Sequence, residues 1–359
     1  MMLAHAVHAT ATLGGCLPAV APPMSRSRKE LVAAALSSRA SAGVARRLPR
    51  WRGVVVLNYH RIGDPAGQPW DRTLWNADEE LFDAQLATLA REAEVVTPAE
   101  VLAMPRERRA GRRVLLTFDD GYRDNYELAF PLLRRHNLPA TFFITTGFLD
   151  ADGPAWWDEI AWMVRNATVH TLGPGPWASA PLPLGAEEDA TIAAVVAHYK
   201  TLDTTHTAAY LEHVAEATGA GRCPRGEASQ LWMTWEMLRE MHAAGMSIGG
   251  HTVTHPILAR LPAAGQNQEI AGCRARLREQ LGTSMEWFAY PVGSTDTFTA
   301  TTKQALREHG VQLAFSFHGG YGHVRRWDPL DVPRVHVSPR HGAELLRATL
   351  WLPQLFARD

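Results

Sequence analysis

The chain has 359 residues, 46% hydrophobic and 20% charged, with 36 basic and 37 acidic side chains for a net charge of -1. That length can bury a large core, in one domain with additions or in two domains. The charge balance excludes a strongly basic nucleic-acid binder or an electrostatic membrane-surface protein. Three cysteines (Cys16, Cys223 and Cys273), odd in number and without metal-site spacing, exclude a disulfide framework.

The opening stretch, MMLAHAVHATATLGGC, is mildly apolar and ends like a lipoprotein cleavage site. It lacks a basic n-region, and His5 and His8 interrupt it. From Met24, an alternative start, MSRSRKELVAAALSSRASAGVARRL reads as a basic amphipathic helix. Residues 1–50 are therefore expected to be an extension, partly helical or disordered. A cytoplasmic or membrane-peripheral location is expected, with export as the alternative. No stretch of eighteen or more apolar residues occurs, so no transmembrane helix is expected.

VVVL at 54–57 reads as a buried strand, and ADEELFDAQLATLARE as a helix with Leu81, Phe82, Gln85, Leu86 and Leu89 near one face. In VVTPAEVLA, Thr97 caps a second helix, Pro98 suits its first turn and Glu100 completes a capping box. RVLLTF is the next strand, followed by a helix after Gly121 that stops near Asn137 and Pro139, and then by the strand ATFFI. In the second half one phrase recurs: a helix closes at a glycine (Gly245, Gly282, Gly310), and MSI, MEWFAY or VQLAFSF follows. Such alternation predicts a parallel sheet, open or closed into a barrel, with reactive residues where strands end. Residues 151–230, with PGPWASAPLPLG and a helical stretch near 187–217, break the rhythm and read as an insertion. The last segment, 341–359, reads as a terminal helix packed on the barrel of 51–340.

Three strand ends carry chemistry. TFDDG places Asp119 and Asp120 side by side, and a strand-to-loop junction can turn both into one pocket. SIGGHTVTHP places His251 and His255 four apart, the spacing of one face of a helical turn. Two histidines and a carboxylate form a facial ligand set with open positions. FAYPVG adds a turn at a third strand end. A non-haem iron oxygenase uses the same ligand types but leaves Asp119 without a role. A glycoside hydrolase uses paired acids but leaves the histidines without one.

Read together and in this order, TFDDGY, HTVTH and FAYPVG, with LPATFFI, resemble the polysaccharide deacetylase (NodB-homology, carbohydrate esterase) family over roughly residues 52–340, apart from the insertion. The resemblance implies an irregular (β/α) barrel of the α/β class and a hydrolase that removes N-acetyl groups from an amino-sugar polysaccharide or glycan precursor. An O-acetyl (xylan-type) esterase or a non-catalytic carbohydrate-binding relative are the alternatives. It implies Asp119 as general base, and Asp120, His251 and His255 as ligands of a divalent metal: zinc, with cobalt, nickel or manganese as alternatives. It also implies an oxyanion donor at the backbone near Tyr290 and Pro291. The family's third-motif arginine is missing from WFAYPVG, and Arg334 in VPRVHV is the substitute. The histidine that serves as general acid is expected early, at His60 in VVVLNYHRI, as in the biofilm poly-N-acetylglucosamine deacetylases this motif order resembles; His336 and His318 are reserves. Trp156, Trp157, Trp232, Trp235 and Trp287, with Tyr290, are candidate faces for sugar rings.

Overall fold

β1 (Gly53–Tyr59) is GVVVLNY, buried at every position. A near-continuous apolar run rich in β-branched residues, broken here by Asn58, is what a parallel strand covered on both faces requires. β2 (Arg113–Phe118) is equally buried. β3 (Thr141–Ile144), β4 (Ser247–Gly250), β5 (Trp287–Ala289), β6 (Leu313–Ser316), β7 (Val332–Pro333) and β8 (Val335–His336) follow. β1 to β7 pair in chain order, all parallel. β8 starts one residue beyond β7 and returns to β1, setting His336 opposite Asn58. The sheet is thus a nearly closed barrel of the α/β class, as expected. The computed structural model describes residues 28–37, 51–104, 110–151, 153–185, 188–323 and 328–357. The leader-like segment, the alternative start at Met24 and Cys16 lie outside the described residues.

Local signals act where the sequence carries them. Asp78 caps the Glu79–Glu92 helix by accepting from the Leu81 N–H at 2.7 Å, and Phe82, Gln85, Leu86 and Leu89 face the core. Thr97 and Glu100 form the expected capping box on Pro98–Ala103. Gly245 and Gly282 adopt φ of 92° and 70°, the left-handed turn that ends a helix before the next strand. The segment after Gly121 differs from expectation: it begins as a π-turn, Asn125–Ala129, before the α-helix Phe130–His136. Such single π-turns recur at functional sites, and here it brings the Asn125 side chain to the His60 carbonyl, 2.7 Å away.

The stretch near 187–217 is two helices, Glu188–Tyr199 and Thr204–Thr218, not one. The Thr201 hydroxyl returns to the His198 carbonyl at 2.7 Å, a local bond that competes with helix continuation. These helices, with Trp156–Arg165, build a second apolar cluster around Trp157, Ile160, Val195 and Val214. The tail likewise splits into Ala343–Trp351 and Pro353–Phe356, because Pro353 cannot donate into the preceding helix. Leu346, Leu350 and Trp351 bury into the main core. Near the N-terminus, Arg28–Ser37 is helical, but Leu31 and Val32 are exposed and Ala33 packs on Ala348 and Phe356. No helix among the described residues is long and apolar enough to cross a membrane.

Candidate active site

Chain direction is shared by β1 to β8, so their C-terminal ends share one rim. His60 follows β1, Asp119 and Asp120 follow β2, His251 follows β4 and Tyr290 follows β5. A cavity of about 580 Å³ opens there and is lined by His60, Asp119, Asp120, His251, His255 and Arg334, among others.

Adjacent residues on a strand point to opposite faces. Asp120 escapes that alternation with φ of 74°, and Gly121 follows at 96°. The Gly121 N–H donates to the Asp119 carbonyl at 3.0 Å, closing the turn. Both carboxylates, each 2% exposed, therefore enter the cavity. The histidine pair is reached differently from the expected helical turn. Residues 251–257 form a loop, with Thr252 at φ 69° and His255 at φ 58°. Glu269 holds this loop, accepting from the Val253 and Thr254 N–H groups at 2.8 and 2.9 Å. The spacing of four brings the rings together through two left-handed residues rather than through helical periodicity.

The donor atoms of Asp120, His251 and His255 lie within 4.8 Å of one another, and all three residues are buried. Asp120 Oδ1 stands 3.5 Å from each Nε2, and the two Nε2 atoms are 3.1 Å apart. Ligands about 2.0–2.1 Å from a tetrahedral ion sit roughly 3.3 Å from each other, so the set matches one shared cation. His251 Nδ1 lies 2.7 Å from the Ala289 carbonyl, which fixes the proton there and leaves Nε2 as the lone pair facing the site. Burial pushes both histidines below their ordinary range, so the rings are neutral, as ligands must be. Burial and the Asp119 charge push Asp120 up, and its Oδ1 meets no protein donor among the described residues. A divalent cation would satisfy that oxygen and reverse the shift.

Asp119 is the opposite case. Burial raises its carboxyl, but Arg334, His251 and His60 outweigh burial and hold it well below the carboxylate range. Arg334, 1% exposed, sits in the seam between β7 and β8, and its Nη1 donates to Asp119 Oδ1 and to Asn58 Oδ1, each at 2.7 Å. Arg334, the residue expected to stand in for the third-motif arginine, thus pairs directly with Asp119.

His60 and His336 both line the cavity, with Phe317 edge-on to each at 6.3 and 5.7 Å. An unperturbed histidine titrates at about 6.5 and can give up a proton near neutral pH. Burial lowers His60 to about 4, against the pull of Asp119, so the resting ring is neutral. Other expectations are corrected. His318 is exposed and bound to Asp331 at 3.1 Å, outside the cavity lining. Tyr290 is among the residues lining the cavity, but its side chain is fully buried, stacks on Phe298 and donates its hydroxyl to the Leu330 carbonyl, so it offers no open ring face. Its N–H donates to Phe315 at 3.1 Å and Pro291 has none, leaving Val292, at φ 62°, as the next N–H of that turn. Trp287 begins β5, at the far end from the rim, and packs with Ala289 and Phe315. Trp232 and Trp235 are buried, their indole N–H groups donating to Gly153 and Asp150. Of the five tryptophans, Trp156 and Trp157 reach the cavity.

Two asparagines escaped the sequence reading. Asn58, buried in β1, bridges Arg334, Thr117 and Asp119. Asn76 accepts from the His60 N–H and donates to the Val337 carbonyl, tying the His60 and His336 segments together. The only hint was polarity: Asn58 interrupts an otherwise apolar strand.

Residues 106–314 match the polysaccharide deacetylase family model. The Bacillus subtilis protein YxkH, whose name assigns it to the polysaccharide deacetylases, is 40% identical over 248 residues, 68% of this chain and 60% of that protein. The chain thus spans about 60% of that relative's length. Among solved structures, the Streptococcus pyogenes deacetylase PplD in complex with acetate superimposes with a TM-score of 0.56 at 20% identity, covering 86% of this chain and 99% of that one. IcaB from Ammonifex degensii gives 0.52 at 23% identity, with coverage of 86% and 99%. At such identities these two speak for the fold, and the family model speaks for the family. The chain belongs to the polysaccharide deacetylase family.

Proposed function

We propose that this protein is a metal-dependent hydrolase that removes N-acetyl groups from an amino-sugar glycan. The observation that carries the reading is one cavity holding two differently prepared carboxylates: Asp120 turned toward two neutral histidines, and Asp119 kept ionised by Arg334. Asp120, His251 and His255 would hold the ion, and zinc suits the two nitrogen donors and one oxygen donor best, with cobalt, nickel or manganese as substitutes. Such an ion acts as a Lewis acid on an acetyl carbonyl and makes a coordinated water more acidic.

The protein's own groups account for the protons. Asp119, ionised at neutral pH, takes a proton from the attacking water. The departing sugar nitrogen needs one, and His60, with His336 beside it, is the donor group. Because His60 rests neutral, the proton that it delivers to the nitrogen is the one that Asp119 has taken from the water. The Val292 N–H is the candidate backbone donor to the developing oxyanion. An O-acetyl ester has a better leaving group and needs this donor less, so the histidine pair favours the amide substrate.

Acetate release from a panel of N-acetylated and O-acetylated glycans, measured with zinc, with chelator and after zinc repletion, tests the reading. Chelator-sensitive release from N-acetylated glycans is the expected outcome. Equal release in chelator, or release from O-acetyl esters alone, overturns it.

A further inference from the structure

The two metal-binding histidines are held by unlike means. His251 is oriented by the Ala289 carbonyl on its Nδ1, the usual way a ligand imidazole is fixed. His255 Nδ1 is buried and meets no hydrogen-bond partner among the described residues. Its backbone is left-handed at φ 58°, and its N–H donates to Thr252 Oγ1 at 2.9 Å. Aromatic rings bear on it instead: Trp157 packs edge-to-face with centroids 4.5 Å apart at 66°, the nearest, with Phe148 stacked at 6.4 Å and the His251 ring at 4.7 Å.

Trp157 is in turn fixed from behind. Its Nε1 donates to the Tyr122 hydroxyl at 2.8 Å, and that hydroxyl donates to Asp158 Oδ2 at 2.8 Å. Asp158 Oδ1 accepts from the Asp71 N–H at 2.9 Å. Tyr122 and Asp158 are 0% exposed and Trp157 is 5% exposed. A buried carboxylate is costly, and an apolar side chain would fill that volume at no desolvation cost. Besides anchoring the Asp71 N–H, a carboxylate bound by these two donors locks the Tyr122 hydroxyl, and through it the indole plane. Tyr122 comes from the turn that carries Asp120, whereas Trp157 and Asp158 open the helix of the inserted segment.

We propose that Trp157 is a positioning residue for His255, held by the Asp158–Tyr122 pair, so that the insertion completes the metal site as well as covering it. The proposal rests on the metal-site reading above. It assigns to packing on one ligand the task that a carbonyl performs on the other.

The test compares three variants of the full chain. Tyr122→Phe keeps the ring that packs on Trp232 but removes the bridging hydroxyl. Trp157→Leu removes the indole. Tyr210→Phe is the control: it also deletes a buried hydroxyl, one that donates to the Val195 carbonyl at 2.9 Å in the same apolar cluster, without touching His255. Zinc affinity is read by competition with a chromophoric chelator, site geometry from the visible spectrum of the cobalt form, and folding from the melting midpoint of the metal-free protein. The first two variants should weaken zinc binding by about 10-fold or more and alter the cobalt spectrum. Tyr210→Phe should lower the metal-free midpoint alone. Zinc affinities within twofold of wild type in both test variants, or a control that loses affinity equally, overturn the proposal. If Trp157→Leu does not fold, Tyr122→Phe decides by itself. Wild-type protein that binds no zinc overturns the metal site, and this inference with it.

Discussion

Arg334→Met isolates the group that keeps Asp119 ionised. Arg334 donates three hydrogen bonds inside the seam: to Asp119 and Asn58 at 2.7 Å and to the Ser316 carbonyl at 3.1 Å. Methionine refills much of the volume but leaves a buried carboxylate without its cation. Breaking a buried pair in this way costs about 3–5 kcal/mol, a large share of a typical stability of roughly 5–15 kcal/mol. The loss should depend on pH. In wild type the Asp119 carboxyl titrates below its unfolded value, so its contribution is present above about pH 4 and fades as pH falls through the native pKa. In the variant, burial, the largest influence, is less opposed and lifts the carboxyl, so the variant loses stability as pH rises through the raised value. The gap between the two proteins should widen from pH 4 to pH 7. Urea unfolding of the metal-free proteins at several pH values measures this directly. In the active enzyme the acid limb of the pH–rate profile should move upward. A gap under about 1 kcal/mol at pH 7, far short of the cost of breaking a buried pair, or one that shrinks as pH rises, would refute the reasoning.

Asp119→Asn should retain zinc while turnover falls on the order of 10²- to 10⁴-fold; a near-normal rate at equal metal content assigns Asp119 a purely structural role. His60→Ala should slow an N-acetyl substrate far more than an activated aryl acetate, whose leaving group needs no proton, and comparison with His336→Ala identifies the donor. Should both substrates suffer equally, His60 is not the acid. Gly250→Ala places a Cβ 2.2 Å from Met285 Sδ and 3.0 Å from Cys273 Sγ, next to His251. It should destabilise the fold by about 1–3 kcal/mol, and an unchanged urea midpoint would show that the methionine simply moves aside.

The sequence by itself determined the strands that are buried on both faces, the helix caps, and the glycines that end helices, because each depends on residues within a few positions. β1, the Thr97–Glu100 box and Gly282 were legible for that reason. The family motifs also singled out Asp119, Asp120, His251 and His255, which sit in short stretches beside strands. Only the tertiary structure decided how those residues meet. The four-residue spacing of the histidines pointed to a helical turn, yet two left-handed residues and the distant Glu269 shape the loop instead. Tyr290 looked available because its strand ends at the rim, but Leu330, 40 positions away, takes its hydroxyl. Arg334 reaches Asp119 across 215 positions because the sheet closes on itself there. Trp157 bears on His255 because the Trp156–Arg165 helix packs over the rim. Backbone propensity and capping act over one or two turns of chain, whereas the barrel's closure sets which distant side chains share a buried, low-dielectric cavity.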